Sequence, residues 1–71
     1  MVTKPMTKTK FIKMWNKNKD MKLRIITLTS GKEIFAEDYS IDYSLVDFVR
    51  FDRGYARVVK TVKLSDIKSI K

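Results

Sequence analysis

A chain of 71 residues with no cysteine and no histidine has room for one small domain, which buries only roughly 60% of the surface its unfolded form exposes. It has neither a disulfide nor the usual zinc ligands to hold that domain together. Net charge is +8, with 16 basic and 8 acidic residues; residues 1–22 hold seven lysines against Asp20 alone and carry +6, whereas residues 23–71 carry +2. No apolar run approaches the roughly 20 residues of a bilayer span, and the scattered Phe11, Ile12, Met14 and Trp15 form no signal-peptide core. The expectation is a cytoplasmic protein without a membrane anchor.

Residues 1–10 read as a mobile, polar arm in which Pro5 opposes a helix. Thr9 is placed to cap a short amphipathic helix over about residues 10–19 with Phe11, Ile12, Met14 and Trp15 at helical offsets. Residues 1–20 are therefore expected as a basic arm plus helix, and residues 21–71 as a β-domain.

Residues 22–29 alternate and are rich in β-branched side chains, Ser30-Gly31 is a turn, and residues 32–38 return as a second strand. Ile25, Ile26 and Leu28 span both faces, so the pattern leaves the inward face of the first strand open. Residues 39–43 are a loop or a strand continuation, and residues 44–51 a strand apolar on both sides. Asp52-Arg53-Gly54 reads as a three-residue hairpin loop with Gly54 in a left-handed bulge position, leading into a strand over residues 55–63. Leu64 to Ile67 form one helical turn capped by Ser65, and residues 68–71 an edge strand.

Four or five short strands joined by tight turns predict a mainly β fold: a small curled antiparallel sheet or a partly open barrel with a short N-terminal helix. Its expected core is Leu23, Ile25, Ile34, Val46, Phe48, Val58, Val62 and Ile67. The order from Leu23 onward, with the TSGKEIFAE hairpin, the DRG turn and the terminal VKLSDIKSI, resembles that of SH3-like and Sm-like small barrels. The resemblance implies a fold and no residue roles, since Lys63-Leu64-Ser65-Asp66 stands where the Sm-like pattern has a basic residue followed by Gly and Asp.

No nucleophile elbow, phosphate-cradling glycine run or metal-ligand spacing is present, so the expectation is a non-enzymatic binding protein with no cofactor and no metal site. The first reading is nucleic acid, single-stranded or duplex, held by Lys8, Lys10, Lys13 and Lys17 on phosphates and by Arg50, Arg53, Tyr55 and Arg57 as an Arg-plus-aromatic platform. The same aromatics, Phe51 and Tyr55, serve equally as a cross-strand pair that holds the hairpin together. The alternative is a protein-interaction module, an inhibitor or adaptor of a host or cellular protein or an oligomer subunit, using Phe11, Trp15, Leu45, Val49 and Phe51.

Overall fold

The computed structural model describes residues 6–71; the front of the expected arm, residues 1–5, lies outside them. One helix precedes six strands: α1 (Lys8–Lys17), β1 (Arg24–Leu28), β2 (Glu33–Ala36), β3 (Asp38–Asp42), β4 (Leu45–Asp52), β5 (Tyr55–Lys63), a 3-10 turn (Leu64–Asp66) and β6 (Ile67–Ile70). The fold is mainly β, as composition and alternation indicate, but the strands do not form one curled sheet or a barrel. They form two three-stranded antiparallel sheets, ordered β2-β1-β6 and β3-β4-β5. This corrects both the single-sheet expectation and the SH3-like and Sm-like resemblance. The break falls at Glu37: its N–H leaves the first sheet and donates to the Val49 carbonyl at 2.9 Å, so the run expected as one strand over residues 32–38 ends in a different sheet from the one it starts in.

The helix begins earlier than expected because Thr7, not Thr9, caps it. Thr7 Oγ1 accepts the Lys10 N–H at 3.1 Å, and the Phe11 N–H makes the first full helical turn onto the Thr7 carbonyl at 2.9 Å. Asn18 ends the helix and ties it to the body: its Nδ2 donates to the carbonyls of Met14 and Ile70, both at 3.3 Å. Phe11 and Trp15, four residues apart, share one helix face and are buried in the same core as both sheets. Their rings pack on Tyr39 edge-on, at 4.8 and 4.7 Å between centroids, and on Phe48. The expected partner-facing role of Phe11 and Trp15 is thereby corrected: both are core residues.

The inward face of β1 is Arg24, Ile26 and Leu28, which leaves Ile25 half-buried. Arg24 is only 6% exposed. Its guanidinium lies 4.2 Å from the Trp15 ring and its Nε donates to the Trp15 carbonyl at 3.2 Å, so the charge is held by an indole face and a helix carbonyl. Ile34, Val46, Phe48, Val62 and Ile67 are buried, as expected; Val58 is 59% exposed. The 3-10 turn lacks the expected Ser65 cap, since Lys63 occupies the cap position and no side chain bonds there.

Candidate functional site

The β4–β5 hairpin is longer than the sheet that carries it. β3 pairs with β4 only as far as Asp38 opposite Val49, whereas β5 follows β4 to Asp52 opposite Tyr55. From Arg50 onward the ribbon has no third strand. Where β3 runs out, a side chain replaces it: Glu37 Oε2 accepts the Phe51 N–H at 2.6 Å and so holds the root of the projecting segment. Replacing Glu37 with alanine is expected to fray the distal ribbon while leaving the core intact. The amide of Phe51 should then exchange roughly tenfold faster, in keeping with the loss of one charge-assisted hydrogen bond, whereas the amide of Ile26 keeps its rate.

The hairpin loop has two residues rather than the expected three. Asp52 pairs with Tyr55, and both Arg53 and Gly54 have positive φ, at 53° and 84°, which is the signature of a type I′ turn. Glycine accepts that conformation freely, whereas an arginine in the left-handed region costs on the order of 1 kcal/mol. Arg53→Asn, which suits the turn, is expected to raise stability by about 0.5–1 kcal/mol, a gain readable in a urea melt.

Register sorts the hairpin into two faces. Val49 opposes Val58 and Phe51 opposes Ala56 on one; Arg50 opposes Arg57 and Asp52 opposes Tyr55 on the other. Phe51 and Tyr55 therefore lie on opposite faces and do not form the expected cross-strand pair. The extra residue is Val59, which sits at a β-bulge between the Phe48–Lys60 and Val49–Val58 pairs. The bulge switches the parity of β5, placing Val58 outside although Val62, four residues on, is buried. Sequence alternation alone missed this, but adjacent valines at 58 and 59 and a lysine at an inward position were its signal.

The outer face carries Leu45, Val49, Phe51, Ala56 and Val58 with Asp38, Asp42 and Asp47 along its proximal half. Eight large hydrophobic side chains are exposed among the described residues, and five of them, Leu45, Phe51, Tyr55, Val58 and Val59, belong to this hairpin. Arg50, Asp52 and Arg57 of the opposite face, together with Phe51 and Val59, line an open groove of about 340 Å³. Arg50 and Arg57 are directly cross-strand, a repulsive arrangement, and an ion pair joins Arg57 to Asp52 at 3.6 Å between well-exposed groups, a geometry that contributes little to stability. Residues 50–60 hold four basic side chains against Asp52, a net +3.

The lysines are elsewhere. Lys8, Lys10, Lys13 and Lys17 are all exposed on α1, with Lys10, Lys13 and Lys17 turned away from the Phe11–Trp15 face by helical spacing. They are held against the body by a packed helix and do not extend on a free arm. Among the described residues no helix is long and apolar enough to cross a membrane, and no three His, Cys, Asp or Glu side chains are grouped to hold a metal ion. Comparison with protein-family models, curated proteins and solved structures gave no match.

Proposed function

We propose that this chain is a protein-interaction module of the cytoplasm, acting by binding and not by catalysis, with the distal β4–β5 hairpin as its recognition element. One observation carries the reading: five of the eight large hydrophobics exposed among the described residues lie on the β4–β5 hairpin, and four of them, Phe51, Tyr55, Val58 and Val59, fall within residues 51–59 around its projecting end. Isolated surface hydrophobics are ordinary, but a cluster on a projecting element is costly to expose and is a feature of interfaces. Nucleic acid would draw on cations divided between α1 and the hairpin, and it would leave Val49, Phe51 and Val58 without a role. A protein surface uses both the apolar and the charged side chains.

The test is affinity capture on the full chain, with titrations of single-stranded DNA, RNA and duplex at low salt run in parallel. One stoichiometric protein, lost when the hairpin is altered, is the expected result. Salt-sensitive binding of an oligonucleotide with no protein captured would reject the reading, and so would self-association as the sole association detected.

A further inference from the structure

The groove face and the free edge of β5 together indicate what kind of segment the hairpin takes; this inference rests on the reading of the hairpin as a protein site. β5 is the terminal strand of its sheet, nine residues long, and every residue except Val62 is exposed. Apart from its ladder with β4, no backbone hydrogen bond to β5 is present among the described residues. A strand edge of this length is a template for an added strand. Side chains of an added strand alternate between the two faces of the sheet. On one face they would lie beside Arg57 and Lys60, with Arg50 across the ribbon; on the other, beside Ala56, Val58 and Thr61.

We infer that the β5 edge binds an extended segment in which carboxylate side chains alternate with apolar ones, the carboxylates entering the Arg50–Arg57 groove and the apolar residues covering Val58 and Phe51. Charge complementarity selects this occupant. The Arg50–Arg57 pair is a cross-strand repulsion that an incoming carboxylate relieves, and a fork of two guanidiniums matches carboxylate geometry. A second copy of the chain is a poor occupant of the same edge, because antiparallel β5–β5 pairing would bring a strand bearing Arg57, Lys60 and Lys63 against its own like. Lysine and arginine on a free edge oppose self-pairing while leaving it open to an acidic strand.

The experiment titrates the full, isotope-labelled chain with a short end-blocked peptide of alternating valine and glutamate. A valine–lysine peptide and a single-stranded oligonucleotide serve as comparison probes. Amide shifts confined to residues 49–61 are expected with the glutamate peptide, together with roughly tenfold weaker binding by Arg50→Gln/Arg57→Gln and near-normal binding by Arg50→Lys/Arg57→Lys. Both positions are solvent-exposed, so the spectra themselves report whether the variants are folded. Equal binding of the lysine peptide, unchanged affinity in the glutamine variant, or no response to the glutamate peptide overturns the inference. If a captured protein still depends on the hairpin after such a result, only the acidic-strand assignment fails; a response to the oligonucleotide alone removes the protein reading as well.

Discussion

Trp15→Ala is expected to unfold the protein. The indole is 6% exposed, stacks at 20° over Phe48 with 6.5 Å between centroids, meets Tyr39 edge-on, and carries the Arg24 guanidinium on its face. Truncating a buried tryptophan costs about 3–5 kcal/mol, and a core in a chain this short rarely supplies more than about 3–5 kcal/mol in all. The loss is compounded because Arg24 would keep its burial without the ring that offsets it. Circular dichroism should show an unfolded or barely cooperative chain at 25 °C for Trp15→Ala, and the same for deletion of residues 1–20. Trp15→Phe, which keeps a ring over Phe48, should remain folded with a lowered melting temperature. An alanine variant melting within a few degrees of the parent would show that α1 is an accessory and not part of the core.

Phe51→Ser combined with Val58→Ser should do the opposite: little change in stability and a large loss of binding. Both side chains are more than half exposed, at 51% and 59%, and they share the outer face of the ribbon. Substitutions at such positions stay within about 0.5 kcal/mol of the parent, and removing exposed apolar groups from a β-ribbon improves solubility. In an interface, however, an apolar anchor is worth about 2 kcal/mol or more, so the pair should weaken the captured partner on the order of 100-fold or beyond. Melting temperature and dissociation constant measured on the same preparation separate the two effects. A collapse of the melting temperature would mean that the side chains stabilise the fold, and an unchanged constant would move the interface off this face.

The contrast between these two residue sets explains how far the sequence can be read. Phe11 and Trp15 at a four-residue offset announce a buried helix face, but the Thr-Lys-Thr-Lys run offers two caps, and only the Thr7 bond to Lys10 decides between them. Strand positions from 45 to 63 follow from alternation and the Asp-Arg-Gly turn to within a residue. Which face is covered does not, since alternation assigns residues to a face and is silent about what packs on it. Alternation puts Val58 in the core for that reason, and the bulge at Val59 reverses its side. Arg24 was illegible because an arginine in an alternating strand reads as a solvent position; its burial depends on the Trp15 ring arriving from the helix. The barrel expectation failed at Glu37, where a change of hydrogen-bonding partner from one sheet to the other leaves no mark on the hydrophobic pattern.

The site was legible in part. Arg50, Arg53, Tyr55 and Arg57 do gather at one end of the hairpin, but Phe51 is turned to the other face, and the lysines of α1 belong to a different element. Projection of the ribbon beyond β3 is a tertiary fact: it arises because β3 begins only at Asp38, opposite Val49, and Glu37 substitutes a carboxylate for a strand.

Amide hydrogen exchange on the full chain, free and in complex with its captured partner, tests the central claim most directly. Binding through the distal hairpin predicts new protection over residues 49–61, where the free edge of β5 is exchange-competent, with α1 and β1 unchanged. Protection centred on the lysine-bearing face of α1, with the hairpin exchanging as it does in the free chain, would contradict it.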